Sequence, residues 1–338
     1  MDQSKSSDSG VFLWLTYHTL NKMNLDANRI FSQIRLSEQP PDRTIRRDNS
    51  TQQRFWEIAE EISADQDIGL HVGEHFPIFR GEILEYIFMS SPTFGDGLQR
   101  ALRYQKIFTD AFVAHLHIEN QNAMITNLQH PVRHYLECAI SVMLNFLNYI
   151  SNNHFHPKEI WLPYQEGASL DEYQRIWKCP ARLGMQYGCI IFDAEILSLA
   201  SASAEPMLLK IHEHVAKQQV KVVDKYYLIN DIENLLSSGL LESGQLDLKL
   251  IAQHLGLQPR KLRADLKEVN TTFEKVLATY REKMAKKLLM NPNISIDQVV
   301  YLLGFSEPSA FSRAFKRWTN ETPSHYRQRK QKSVLAIT

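Results

Sequence analysis

Apolar residues along this chain change their rhythm several times, and each change marks a different element. From Phe55 to Ile62 they recur at helical spacing among acidic positions, and the run ends in Ala64-Asp65-Gln66-Asp67, a turn-rich stretch before Gly69. Ser91-Pro92-Thr93 followed by Phe94-Gly95-Asp96 has the form of a cap opening a helix through Leu98, Leu102 and Ile107. The pattern then alternates. Leu116 and Ile118 precede Asn120-Gln121-Asn122, and Met124 and Ile125 follow it, which predicts a hairpin over His115 to Leu128. A long helix is predicted over Tyr135 to Ile150, with short strands at Glu159 to Leu162 and Cys189 to Phe192. The first part of the chain is therefore mixed α and β.

Beyond Pro206 the rhythm is helical again. Leu208, Ile211, Val215 and Val222 form the seam of an amphipathic helix interrupted by Gln218. Packing onto the first domain and a short dimerising coiled coil both fit this seam. Further on, a pattern occurs twice. Ile251-Ala252-Gln253-His254-Leu255-Gly256-Leu257 leads through Gln258-Pro259 into Arg260-Lys261-Leu262-Arg263-Ala264-Asp265-Leu266. Val299-Val300-Tyr301-Leu302-Leu303-Gly304-Phe305 leads through Ser306-Glu307-Pro308 into Ser309-Ala310-Phe311-Ser312-Arg313-Ala314-Phe315.

Each copy reads as a helix stopped by glycine, a tight turn, and a second helix opened by proline, whose missing N–H has no partner at that position anyway. Leu262 and Leu266 in one copy, and Phe311 and Phe315 in the other, lie four apart and would pin the second helix to the first. Between the copies, Thr272 to Met290 predicts one helix with an apolar stripe at Phe273, Val276, Leu277, Tyr280, Met284 and Leu288. At ~1.5 Å per residue it spans about 28 Å, near the ~34 Å repeat of duplex DNA. Two helix-turn-helix units on such a spacer suit successive major grooves.

Charge sharpens this picture. The 338 residues carry no formal net charge, but from Lys225 onward 18 Lys and Arg face 11 Asp and Glu, leaving 20 against 27 in the earlier part. Only the basic half suits a polyanion, because cationic contacts to phosphate supply most of the sequence-independent affinity for nucleic acid. A solvated basic face is the alternative that charge alone leaves open.

The second copy, Gly304-Phe305-Ser306-Glu307-Pro308-Ser309-Ala310-Phe311-Ser312-Arg313-Ala314-Phe315-Lys316-Arg317-Trp318 with Pro323-Ser324-His325-Tyr326-Arg327, resembles the signature of the AraC/XylS family of bacterial transcription regulators. The resemblance covers about residues 226 to 330, including Ala285-Lys286-Lys287-Leu288-Leu289, and implies a seven-helix DNA-binding domain. Ile68-Gly69-Leu70, Ser90-Ser91-Pro92-Thr93 and Cys179-Pro180-Ala181 resemble an arabinose-binding-type N-terminal domain, whose name does not make arabinose the ligand.

The resemblance implies a mixed α/β sensing or dimerisation domain over 1–205, a linker helix over 206–224, an all-α double helix-turn-helix domain over 225–330, and a basic flexible tail over 331–338. Carried over by position, Arg260, Arg263 and Ala264 face the groove in the first unit, and Ser309, Ala310, Ser312 and Arg313 in the second. Lys261 and Lys316 complete the expected DNA-contacting set. Ala264 departs from the longer polar side chain of many members, and Asp265 would repel phosphate if it faced DNA. The expected function is a sequence-specific transcription activator that responds to a small-molecule effector or a protein partner. Its expected partners are double-stranded DNA, the effector, RNA polymerase and a second copy in a homodimer. Phe88, Met89, Tyr104, Phe108, Tyr135 and Trp161 offer surface for an effector pocket, and core packing is the other role that fits them.

Catalysis has little support. His71-Val72-Gly73-Glu74-His75 matches the H-x-x-E-H string of inverted zinc peptidases, but Gly69 and Gly73 are expected to interrupt the helix and Pro77 follows. His115-x-His117, His154-x-His156 and His212-x-His214 read as ordinary polar pairs, and Cys138, Cys179 and Cys189 as free thiols rather than a zinc site or a disulfide. No enzyme activity, metal or cofactor is therefore expected. Met1 to Gly10 is polar and reads as a loose end without a secretory signal. The longest apolar stretch, Ala139 to Ile150, is broken by Ser141, Asn145 and Asn148 and falls short of the ~20 residues of a membrane span. The expected location is the cytoplasm, without membrane contact.

Overall fold

A computed structural model describes residues 6–34, 36, 39–241 and 246–335. The chain falls into two compact units, Met1–Val220 and Lys221–Thr338. The first opens with β1 (Ser7–Asp8), α1 (Gly10–Lys22), α2 (Ala27–Gln33) and β2 (Arg47–Asp48). Next come α3 (Gln52–Ser63), α4 (Ile68–His75), α5 (Ile83–Ser90) and α6 (Phe94–Arg103). The hairpin of β3 (His115–Glu119) and β4 (Asn122–Leu128) precedes α7 (Arg133–Ile150). Then follow β5 (Pro157–Trp161), α8 (Leu170–Trp177), β6 (Ala181–Arg182) and β7 (Gly188–Asp193).

Local chemistry explains several of these limits. Thr93 caps α6 by accepting from the Asp96 amide at 3.1 Å, the role expected of its Ser-Pro-Thr stretch. Ala64 ends α3 in the left-handed conformation, and Asn120 supplies positive φ at the hairpin tip. β3 to β7 form one sheet in the order β3-β4-β7-β5-β6, antiparallel except for β5 and β6, which run parallel because α8 returns the chain between them. Phe31 and Trp56 among the helices, Tyr173 on α8, and Phe155 and Phe192 at the sheet are almost wholly buried. Each such side chain contributes about 1.5 to 3 kcal/mol by leaving water.

Three expectations need correcting here. The N-terminal segment is not loose from Ser7 onward: Ser7 and Asp8 pair with β2 and are buried, and Asp8 accepts from the Tyr135 hydroxyl at 2.6 Å and from Gln52 at 2.9 Å. Met1–Lys5 lie outside the described residues. Gly69 and Gly73 do not break α4. They lie against α7, where a Cβ on Gly69 would stand 2.3 Å from the His134 carbonyl oxygen, so the close helix contact outweighs their poor helix propensity. The apolar seam after Pro206 faces outward: Leu208, Ile211 and Val215 are exposed, while Leu209, Ala216 and Val220 pack with Ile83, Ile87 and Tyr104. That helix, α9, runs from Pro206 to Leu235, beyond the expected limit at 224.

Two buried groups beside Tyr135 titrate in opposing senses. Burial pushes the Asp8 carboxyl from 3.8 up to about 6, against hydrogen bonds that favour its charge. Burial pushes His130, stacked 4.1 Å from the Tyr135 ring, from 6.5 down to about 4. Asp8 therefore contributes stability below pH ~4 that is lost as pH rises through about 6. His130 contributes stability above pH ~6.5 that is lost as pH falls through about 4. Each is worth about 3 kcal/mol, and in the native chain they offset one another. Asp8→Asn is expected to uncover the histidine, so that stability falls steeply on acidification from pH 6.5 to 4, whereas His130→Gln reverses that slope. Urea titrations across this range check both, and parallel wild-type and variant curves would contradict the assignment.

The second unit is helical. After α9 come α10 (Leu248–His254), α11 (Pro259–Glu268), α12 (Phe273–Met290), α13 (Ile296–Leu302), α14 (Pro308–Thr319) and α15 (Pro323–Leu335). It has two cores. Ile251, Leu262 and Leu266 join Phe273, Val276 and Tyr280 of α12 in one, and Val299, Phe311 and Phe315 join Ala285 and Leu289 of α12 in the other. Helix α15 extends into the segment expected to be a flexible tail, and Ala336–Thr338 lie outside the described residues.

Candidate nucleic-acid interface

The two repeats fold alike, and their turns show why. Gly256 and Gly304 have φ of 67° and 64°, which lets the chain reverse after α10 and α13. The next amide reaches back into the helix in both: Leu257 donates to the Ala252 carbonyl at 2.8 Å and Phe305 to Val300 at 3.0 Å. Pro259 and Pro308 open α11 and α14. The second turn is one residue longer, after which the helices keep strict register: Leu262 corresponds to Phe311 and Leu266 to Phe315, all buried.

That register fixes the opposite faces. Arg260, Arg263, Ala264 and Lys267 correspond to Ser309, Ser312, Arg313 and Lys316, spaced by three and four along each helix. All are exposed except Ser312, which is half-buried. Lys267 was absent from the sequence-based set although the position of Lys316 in the other copy pointed to it. Ala310 is half-buried at the edge of its face. Lys261 lies off this face and pairs with Asp265 at 2.5 Å, so the carboxylate expected to repel phosphate is neutralised from its own helix. The Ser309 hydroxyl donates to Glu307 at 3.0 Å.

Other cations serve the scaffold. Arg281 on α12 donates to the carbonyls of Leu303 and Gly304 at 2.9 and 3.0 Å and lies 4.6 Å from the Phe305 ring centre. It thereby satisfies the carbonyls that end α13. Arg327 donates to Leu289 and Ile294 at 3.2 and 2.7 Å and ties down the connection between α12 and α13. Part of the basic excess thus holds the fold together.

In the first unit the six expected effector residues separate. Phe88, Phe108 and Tyr135 line one apolar cavity of about 150 Å³ bounded by α5, α6 and α7. Met89 is exposed on the far side of α5, Tyr104 packs with Ala216 of α9, and the Trp161 indole donates to Glu159 at 2.7 Å. Phe79, Phe112 and Phe146 were missed as cavity residues: Phe79 and Phe112 come from loops, which carry no periodic signal, and Phe146 from the interior of α7, where nothing local distinguishes a cavity residue from a core one.

The peptidase-like string is committed to ion pairs. His71 contacts Asp65 at 2.6 Å and Glu172 at 2.9 Å, while Glu74 takes both nitrogens of Arg175 at 2.8 and 2.9 Å. Partial burial of His71 opposes its charge, but the two carboxylates raise its pKa overall. No cluster of three metal-ligating side chains occurs among the described residues. All three cysteines are buried and free, and burial pushes the Cys179 and Cys189 thiols up to about 12. His154 contacts the Ser151 carbonyl at 2.7 Å and His212 the Ser90 hydroxyl at 3.1 Å, whereas His115 and His117 are exposed on β3. No helix among the described residues is long and apolar enough to cross a membrane.

Two family models match separate stretches of the chain. Residues 25–201 match the arabinose-binding domain of AraC transcription regulators, N-terminal, and residues 251–329 match a helix-turn-helix domain family. The ornithine utilization regulator of Pseudomonas aeruginosa is 24% identical over 277 residues, covering 80% of this chain and 81% of that one. The regulator VqsM of the same species is 22% identical over 298 residues, covering 80% and 86%. Among solved structures, the transcriptional regulator CdpR from Pseudomonas aeruginosa aligns with 89% of this chain and 96% of its own at 17% identity and a TM-score of 0.43.

Proposed function

The chain belongs to the AraC-type DNA-binding transcription regulators with an arabinose-binding-type N-terminal domain, and from that premise we propose that it is an effector-responsive activator that reads DNA through α11 and α14. One observation carries the reading: the same four helical positions, opposite the buried leucines and phenylalanines, recur on both helices and carry arginine, lysine or hydroxyl side chains everywhere except at Ala264. Arginine suits a bidentate contact to the O6 and N7 of guanine, so Arg260 and Arg263 are proposed as base readers in the first unit. Lys267 and Lys316, one turn further on, are proposed to meet phosphate. The hydroxyls of Ser309 and Ser312 bond to several bases and give the second unit a looser readout.

On this reading the N-terminal unit biases DNA binding through a small molecule. Its cavity supports this, because the helix α5 that lines it also packs on α9, which continues to Leu235. RNA polymerase is the proposed partner at the promoter, and a second copy of the chain the proposed partner on DNA.

Binding-site selection with the full chain tests the base assignment. Arg263→Ala is expected to relax preference at one guanine-containing step and to cost about 1 to 3 kcal/mol, whereas Lys267→Ala lowers the salt slope by about one and leaves base preference intact. An unchanged selected motif with Arg263→Ala would remove Arg263 from the readers.

A further inference from the structure

Resting on the reading that the N-terminal unit binds an effector, we infer that its cavity takes a compact, uncharged, apolar molecule and does not accept a sugar. The size follows from the volume of about 150 Å³, which matches that of dry apolar cavities known to admit benzene. Six phenylalanines wall it, namely Phe12, Phe79, Phe88, Phe108, Phe112 and Phe146, with aliphatic side chains from α6 and α7 between them. They offer ring faces and edges, which favour aromatic or hydrocarbon surface.

Polarity decides the class, because the polar side chains in the wall are already engaged. Gln105 holds the carbonyls of Leu102 and Ala114 at 2.7 and 3.0 Å and accepts from the Ala114 amide at 2.8 Å. The Thr109 hydroxyl is 2.9 Å from that of Tyr135, which donates to Asp8. Glu85 accepts from the Tyr149 hydroxyl and the Gly81 amide at 2.9 and 2.5 Å, and Glu82 pairs with Arg43 at 2.9 Å. A sugar would bury several hydroxyls against ring carbons and leave them unpaired. Glu82 and Glu85 are the charged side chains of the wall, so an anion meets repulsion there. A cation would have to draw them from their present partners. An uncharged apolar ligand needs neither change.

Fluorine NMR of fluorobenzene and fluoroindole, titrated into the full chain, tests the inference. The expected result is saturable line broadening, reversed by unlabelled indole but not by L-arabinose. Ala139→Phe on α7 and Ala101→Leu on α6 fill the cavity from two sides, and each is expected to weaken probe binding at least tenfold, with circular dichroism reporting whether the fold persists. Displacement by L-arabinose, absence of probe binding, or undiminished binding in both folded variants would each overturn it. DNA binding is measured on the same wild-type sample. A chain that binds DNA but no probe contradicts this inference alone, and one that binds probe but no DNA contradicts the regulator reading alone.

Discussion

Gly304→Ala is expected to destabilise the second helix-turn-helix by about 3 kcal/mol or more, whereas Gly256→Ala at the corresponding turn costs only about 1. Both residues have positive φ, so alanine is strained at either place. Their surroundings differ. A Cβ on Gly256 meets nothing within 4 Å, but one on Gly304 would stand 2.2 Å from the carbonyl oxygen of Leu241, a backbone atom that cannot swing aside as a side chain can. The Gly304 carbonyl also receives Arg281, so a shift of this turn disturbs the end of α13 as well. Hydrogen exchange resolves the two, because protection reports local opening energies. Gly304→Ala should lower protection across α13 and α14 by about a hundredfold or more, and Gly256→Ala should lower that of α10 and α11 by roughly tenfold or less. Equal losses at both turns would mean that the Leu241 contact is relieved at little cost.

The largest effect in the first unit is expected at Glu137. This carboxylate is fully buried on α7 and accepts from Arg133 at 3.0 Å, from the Tyr164 hydroxyl at 3.1 Å and from the Tyr173 hydroxyl, joining α7 to α8 and the connection that precedes it. Burial and the charge of Glu137 hold both phenols well above their ordinary range, so they remain donors at any physiological pH. Glu137→Ala leaves one guanidinium nitrogen and two hydroxyls without their acceptor and is expected to cost about 3 to 5 kcal/mol. Tyr173→Phe alone should cost less, and in the Glu137→Ala background it should cost almost nothing further. Denaturant unfolding of the four proteins completes this cycle. Additive losses would show that the two side chains do not act together.

How far the sequence went depended on the kind of signal. Thr93, Asn120 and the two turn glycines act on their immediate neighbours, and their elements start or turn where the pattern puts them. Helix α6 nonetheless stops at Arg103, short of the expected Ile107, which lies in a separate short 3-10 turn. The duplicated unit was legible because one set of local rules appears twice, and its register sets the exposed positions proposed to face DNA, with Lys267 emerging once the copies are compared. Features set by distant contacts were not legible. Helix α4 survives two glycines only because α7 approaches them, and Asp8 in a polar N-terminal stretch becomes a buried anchor only once Tyr135 reaches it. Helix α9 carries apolar residues on more than one face, and periodicity gave no means of choosing the buried one. The cavity draws side chains from α1, α5, α6, α7 and intervening loops, so three of the six residues chosen by type fell elsewhere.

Helix α12 serves both cores of the DNA-binding unit along one uninterrupted rod, and this restricts how its length can change in evolution. Phe273, Val276 and Tyr280 set the phase of one end, and Ala285 and Leu289 that of the other. Inserting one residue between Tyr280 and Ala285 would advance the far end by ~1.5 Å and turn it by about 100°, carrying Leu289 away from Phe311 and Phe315. Seven inserted residues would bring the phase back to within ~20° yet move the far end by about 10 Å along the rod. Point substitutions on its exposed side alter neither quantity. Exposed side chains along α12 are therefore open to drift, whereas insertions and deletions within it are barred.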